Sequence, residues 1–348
     1  MMKKLQNLFY LSFISLMLFS CTKDEVAENK PVDPAQVVEN EVKRFIYRGL
    51  NDYYLYKADV PVLGNNYFSS VSERNDYLEA AGSPEDLFDA LKAPQDEFSF
   101  MFADYIALEN LFKGVSKTNG MDLGLGVFSN SDGVFAYVRY VLPGSPAEEA
   151  GIKRGDFFTT VDGTQMNLDN YSDLIGQETY TITLATISDN TISQTNEKVT
   201  LTKVVYNENP VHITRVIETG GKKIGYLMYN SFTANYDDIL NDAFAEFQSA
   251  GVTDLVLDLR YNGGGSVLTA TRLASMITGQ FTGEVFMKEQ WNKKWQAIFQ
   301  EQRPEWLVNK FTDTIDAGQP LNSLFLDQVY VLATGSSASA SELILNGL

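Results

Sequence analysis

The sequence predicts a multidomain α+β protein in which a helical segment precedes a β-rich one and an α/β segment follows. Three observations carry this prediction. The chain has 348 residues, enough for two or three domains at about 150 residues each. Apolar residues recur at helical spacing from Val42 to Tyr54 and at strand spacing from Gly124 to Leu142. Further on, the apolar run Leu255-Val256-Leu257-Asp258-Leu259 meets a glycine turn and then a helix, the pattern of a buried parallel strand entering an α/β crossover.

Composition narrows the chemistry. Lys+Arg 27 against Asp+Glu 45 gives a net charge of −18, and no basic patch relieves it, so nucleic acid is not an expected partner. One histidine, His212, and one cysteine, Cys21, exclude a disulfide framework, a Cys/His zinc site and a His-Glu-x-x-His metalloenzyme. No metal or cofactor is expected. A Ser-His-Asp site would have only His212, which lies in the alternating run Val211 to Thr214 and reads as a strand residue without chemistry.

At the N-terminus Lys3 and Lys4 precede an apolar run from Leu8 to Phe19 broken only by Ser12 and Ser15. The run is shorter than the roughly 20 residues a spanning helix needs, and it reads as the apolar part of a secretory signal. Leu18-Phe19-Ser20-Cys21 resembles the lipobox of bacterial lipoproteins. That resemblance implies a signal peptide over 1–20, acylation of Cys21 and attachment to a membrane of the cell envelope, the outer one being expected. An ordinary cleaved signal with an incidental cysteine is the alternative. Residues 21–40 read as a linker. Its start, Thr22-Lys23-Asp24-Glu25, looks like a surface-export context or a plain solvated stretch, which leaves the periplasmic and the surface-exposed side both open.

Residues 41–115 are expected to be helical. Val42, Phe45, Ile46, Leu50, Tyr53 and Tyr54 share a face, and Ser83-Pro84-Glu85-Asp86 supplies an N-cap, a proline at N1 and an acid at N3 for a helix through Leu91. Tyr47, Tyr53, Tyr54 and Tyr56 are expected to pack rather than bind. Residues 116–205 change to strand periods. Strands run over Gly124 to Phe128 and Val134 to Leu142, joined at Asp132-Gly133. Ser145-Pro146 to Gly151 is a short helix with both ends specified. Asp156 to Val161 closes at Asp162-Gly163, and a helix near Asp169 to Ile175 leads to a hairpin from Tyr180 to Val205. This order, above all from Leu142 to Gly163, resembles a PDZ domain of the bacterial protease-associated type. The resemblance implies a loop at Gly124-Leu125-Gly126 whose N–H groups take a peptide's terminal carboxylate, and pairing of the peptide with the strand that continues through Val127. Glycines serving only a tight turn are the alternative.

In residues 206–348, Lys223 to Met228 reads as a strand and Tyr236 to Ala250 as a helix with Leu240, Phe244 and Phe247 on one face. The turn Tyr261-Asn262-Gly263-Gly264-Gly265-Ser266 has neither G-x-G-x-x-G nor Gly-Lys-Ser/Thr, which argues against nucleotide. Such a turn is also suited to aim N–H groups at a developing oxyanion. Val329 to Ala333 is a further strand, and Ser339 with Glu342 fits a capping box after Gly335-Ser336-Ser337-Ala338.

Asp258-Leu259-Arg260-x-Asn262-Gly-Gly-Gly, the later Ser337-Ala338-Ser339-Ala340-Ser341-Glu342 and the PDZ-like segment together resemble the C-terminal processing peptidases, or tail-specific proteases, of the S41 serine peptidase family. The resemblance implies an α/β crotonase-like core of the ClpP/crotonase kind over 206–348. It makes Ser339 the nucleophile, with Ser337 and Ser341 as rivals, and Ala340 N–H with a glycine N–H of the turn, Gly264, the oxyanion hole. Arg260 and Glu342 either support the site or serve as an ion pair and a cap. The family's base is a lysine, with a glutamine one helical turn beyond it, both expected after Leu348, because the last lysine here is Lys310. Ser341 to Leu348 starts an apolar helix with no cap, so the core is expected to be incomplete at its C-terminus. A site completed by Lys288, Lys293, Lys294 or Lys310 is the weaker alternative. The expected function is a lipid-anchored serine endopeptidase of the cell envelope acting on proteins or peptides with free C-terminal tails. The alternative is a non-catalytic PDZ-type adaptor lipoprotein that binds such tails.

Overall fold

The computed structural model describes residues 33–129, 131–189 and 191–348, so the expected signal segment and Cys21 lie outside the described residues. Among the described residues no helix is long and apolar enough to cross a membrane. The chain divides into two compact units, one up to Ala93 and one from Pro94 to Leu348.

The first unit holds α1 (Pro34–Tyr53), α2 (Val71–Ala80) and α3 (Pro84–Ala90). Helix α1 starts well before Val42, because Asp33 accepts from Ala35 N–H and Pro34 stands at N1. That is a start signal inside the stretch expected to be linker. The capping box of α3 forms as expected, with Asp86 N–H donating to Ser83 Oγ and Ser83 N–H to the Asp86 carboxylate. Tyr47 and Tyr54 join Leu63, Leu78, Leu87 and Leu91 in a small core, whereas Tyr53 is exposed. Residues 94–113, with α4 (Tyr105–Phe112), belong to the second unit rather than to this helical one.

In the second unit β1 (Val115–Thr118) opens a β domain of β2 (Met121–Val127), β3 (Val134–Val141), α5 (Pro146–Glu149), β4 (Phe157–Val161), β5 (Thr164–Gln165), α6 (Tyr171–Gly176), β6 (Thr179–Ser188) and β7 (Thr191–Thr202), and β8 (Val204–Asn207) closes it. The sheet order is β2-β3-β4-β6-β7, with β5 on β4, while β1 and β8 pair with each other as the two chain passages into the domain. Val134, Ala136, Val138, Phe158, Val161 and Ile182 fill its core. The helix caps as the sequence predicts, with Ser145 Oγ accepting from Glu148 N–H and Gly151 at φ +81°.

One expectation is corrected here. Gly124, Leu125, Gly126 and Val127 form no loop but lie inside β2, opposite Tyr137, Ala136, Phe135 and Val134 of β3. The two glycines are there because aromatic rings cross them. A Cβ on Gly124 would sit 2.1 Å from the Tyr137 ring and one on Gly126 2.3 Å from the Phe135 ring. Strand β2 nevertheless ends the sheet, and its outer edge is open to strand addition.

The α/β core comprises β9 (Val211–Thr219), β10 (Lys222–Tyr229), α7 (Asp237–Ala250), β11 (Asp254–Asp258), α8 (Val267–Thr278), β12 (Val285–Lys288), α9 (Lys293–Gln302), β13 (Val308–Lys310), β14 (Val329–Leu332) and α10 (Ala340–Gly347). The main sheet runs β14-β11-β10-β9, parallel across its first three strands and antiparallel at β9. Leu240, Phe244 and Phe247 of α7 are buried with Leu255, Leu257, Leu259, Leu273 and Ile344, the amphipathic pattern and continuous strand the sequence predicts. Strands β12 and β13 pair apart from this sheet.

The β domain and the core meet at Tyr140 and Leu142, which pack with Met228, Ile213, Tyr226 and Tyr261. His212 stacks at 5.0 Å from the Tyr140 ring, and burial pushes its pKa down. Glu208, just after β8, accepts from Tyr140 Oη–H at 3.4 Å. Burial and the nearby Asp122 charge push its pKa up to about 7, against the pull of the tyrosine hydroxyl. A carboxyl raised in the folded state holds a proton that the unfolded chain has lost, so its contribution to stability falls as pH rises from about 4.5 to about 7. Glu208→Gln is therefore expected to flatten thermal unfolding between pH 5 and pH 7.5 and to be the more stable form at pH 7.5, by up to about 3 kcal/mol. Parallel pH profiles of the two proteins would count against this.

Candidate active site

Strand β11 carries the chain into the centre of the core and ends at Asp258, which is 1% exposed. Arg260 Nε and Nη2 donate to its carboxylate at 2.9 and 2.6 Å, and Tyr226 Oη–H donates at 2.6 Å. Burial opposes the charge, but these hydrogen bonds outweigh it and hold the carboxyl below its ordinary range. Arg260 is thus an ion-pair partner that fixes the strand end. Its guanidinium also stacks on Tyr261 at 5.6 Å, with those of Arg139 at 5.2 Å and Arg154 at 5.4 Å on the same ring. Arg139, from the β domain, pairs with Asp122 and donates to Ser336 Oγ at 3.2 Å. A cationic rim therefore borders the serine loop in a strongly acidic protein.

The glycine turn and the serine loop touch. Gly264 is at φ +106° and Gly265 at φ +134°, regions that side-chain-bearing residues rarely adopt. A Cβ on Gly264 would lie 2.7 Å from Ser339 Cβ, 2.8 Å from Ala338 O and 3.0 Å from Ala340 N. The two segments, some seventy residues apart in sequence, are brought together because β11 and β14 are parallel neighbours whose C-terminal ends lie side by side.

Three serines compete in the loop, and their surroundings differ. Ser337 Oγ–H donates to Leu259 O at 2.7 Å and accepts from Thr334 N–H. Ser341 is fully buried and donates to Asn262 O at 2.9 Å. Both hydroxyls tie the loop to the glycine turn. Ser339 is exposed and sits at φ +54°, ψ −113°. A non-glycine residue costs of order 1–3 kcal/mol in such a region, and strain of this kind gathers at active sites. Its N–H donates to the Glu342 carboxylate at 2.9 Å, so Glu342 serves as the cap. The strain turns Ser339 out at the N-terminus of α10, where unpaired N–H groups and the helix dipole favour negative charge.

Of the two N–H groups expected to hold an oxyanion, the structure treats one differently. Ala340 N–H, at the first position of α10, has no acceptor among the described residues. Gly264 N–H is engaged, donating to Asn262 Oδ1 at 2.8 Å. Gly264 O accepts from Phe232 N–H at 2.9 Å, and across a trans peptide the following N–H points the opposite way. Phe232 extends β10 and Ser339 follows β14, on opposite sides of β11. Gly265 N–H is therefore directed away from Phe232. Sequence reasoning missed this because three adjacent glycines look alike until one carbonyl is seen to be taken.

Of the lysines named as possible completions, Lys288 is on β12, Lys293 and Lys294 on α9, and Lys310 on β13. Among the described residues no group of three or more His, Cys, Asp or Glu side chains is arranged to hold a metal ion.

Residues 223–348 match the family model of peptidase family S41, residues 41–100 that of the peptidase S41 N-terminal domain, and residues 137–187 that of a PDZ domain. A chloroplastic C-terminal processing peptidase of Tetradesmus obliquus is 28% identical over 246 residues, covering 66% of this chain and 49% of that one. A carboxyl-terminal-processing protease of Picosynechococcus sp. is 29% identical over 230 residues, covering 65% and 50%. This chain thus spans about half the length of the curated relatives it matches. Among solved structures, a protein of Bacteroides fragilis NCTC 9343 provisionally assigned as an S41 protease superposes with a TM-score of 0.59 at 28% identity, covering 87% of this chain and 75% of that one. Residues 223–348 thus match peptidase family S41, preceded in order by segments that match its N-terminal domain and a PDZ domain.

Proposed function

We propose that the protein is a serine endopeptidase that cleaves polypeptides recognised by their C-terminal tails. The observation that carries the proposal is the close approach of Gly264 to Ser339 and Ala340, which brings the glycine turn against a strained, exposed serine at the start of α10. Ser339 Oγ attacks the scissile carbonyl and forms the acyl-enzyme bond. Ala340 and Gly265 N–H groups hold the oxyanion, which is worth most where donors are fixed in advance. The Ser339 proton goes to a lysine amine, which returns it to the leaving amine. Water then releases the acyl group by the same path. Such an amine must be depressed toward neutrality by burial.

Tail recognition falls to β2, whose open edge accepts an antiparallel peptide strand with Leu125 and Val127 exposed beside it. Cys21, by its lipobox resemblance, is proposed to carry the lipid that holds the enzyme at the envelope membrane.

The test uses the full-length protein mixed with a tail-bearing peptide and quenched in acid within the burst phase. Mass spectrometry is expected to find the acyl adduct on the fragment containing Ser339. An adduct on another serine would remove the assignment. Tail binding with no adduct and no hydrolysis would favour the adaptor reading.

A further inference from the structure

Asn262 is bonded to three segments that meet at the proposed site. Its side chain is fully buried. Its Nδ2–H donates to Tyr229 O at 2.9 Å, at the end of β10, and its Oδ1 accepts from Gly264 N–H at 2.8 Å. Its main-chain carbonyl accepts from Ala338 N–H at 3.2 Å and from the Ser341 hydroxyl at 2.9 Å. One residue thereby joins the end of β10, the glycine turn and the serine loop.

Each bond constrains a different freedom. Three successive glycines have the widest backbone choice of any tripeptide, and without a restraint the peptide between Gly264 and Gly265 would be free to turn over. The Asn262 amide fixes Gly264 N–H on one side, while Phe232 N–H fixes Gly264 O on the other. Between them the plane carrying Gly265 N–H has a single orientation. On the serine side, the Asn262 carbonyl holds the residues before and after Ser339 and so places Ala340 N–H. We infer that Asn262 is the positioning residue of the oxyanion hole, setting both of its N–H donors through the turn and the loop without touching substrate.

Only asparagine fits this position. Aspartate keeps the acceptor for Gly264 N–H but has no donor for Tyr229 O, and it would bring a charge into a buried site. Leucine has neither. Glutamine is a methylene too long for a side chain with no exposed surface.

The inference rests on Ser339 being the nucleophile, and its test is arranged to fail separately from that reading. In the full-length protein, Asn262→Ala is expected to lower kcat by about 10²- to 10³-fold, the scale of losing an oxyanion donor, with KM changed less than about threefold. The affinity of a peptide aldehyde, whose hemiacetal oxygen needs the hole, should fall in proportion to kcat, while binding of the same tail to the PDZ domain stays unchanged. A merely structural role would not separate these readouts. If the alanine form does not fold, Asn262→Leu fills the side-chain volume while removing both polar groups, and the same split is read on it. Aldehyde affinity retained in a folded variant overturns the inference, as does a kcat loss no larger than the loss of folded protein. Cleavage retained by Ser339→Ala would instead sink the nucleophile assignment.

Discussion

Replacing Ser339 by alanine is expected to lower kcat on a tail-bearing peptide by about 10⁴-fold or more, the scale at which covalent catalysis is lost and only binding and oxyanion stabilisation remain. Tail affinity should be unchanged, because β2 lies in the other domain of the same unit. The rival serines give the contrast. Removing the Ser337 or Ser341 hydroxyl leaves Leu259 O or Asn262 O with one donor fewer, a cost of about 1 kcal/mol each. Their activity loss should therefore be modest and accompanied by a lower Tm. A Ser339→Ala protein that still cleaves, beside an inactive Ser337→Ala or Ser341→Ala, would reverse the assignment.

The second large effect is expected at Gly264. A methyl group there meets Ser339 Cβ at 2.7 Å, Ala338 O at 2.8 Å and Ala340 N at 3.0 Å. Two of these neighbours are backbone atoms that cannot rotate aside. The residue would also stand at φ +106°. Gly264→Ala should cost about 1–3 kcal/mol from the conformation alone, and more once the serine loop is pushed away. Because a displacement near 1 Å at a reacting group costs about 10²-fold in rate, kcat should fall by at least that factor in the protein that remains folded. Gly263 is the control: a Cβ there meets nothing within 4 Å and its φ is not positive. Equal behaviour of Gly263→Ala and Gly264→Ala would show that the turn and the loop do not press together in solution.

Several features were legible wherever the signal was local. The α3 capping box, the α5 cap with Pro146 and Gly151, the continuous strand β11 and the amphipathic α7 all depend on residues within a turn or two of each other. The misreadings share one cause as well. Pro34 was given to a linker because its neighbourhood is polar, although Asp33 and Pro34 start α1. The loop at Gly124 to Gly126 came from the PDZ resemblance, while the strand read from Gly124 onward is present and its glycines are required by Tyr137 and Phe135 on the next strand. The bond of Gly264 N–H to Asn262 was likewise invisible, because nothing in a run of glycines tells which amide has an acceptor.

The sequence by itself determined the segment order, the strand-turn-helix units and the residue types of the site, since periodicity, capping and glycine content act over a few residues. Only the tertiary structure decided which atoms face each other. The parallel pairing of β11 with β14 sets Gly264 against Ser339, and the bonds of Asn262 and Phe232 decide which polar groups of the turn are already engaged. Direction in space is a property of the packed backbone, fixed by partners that are distant in the chain.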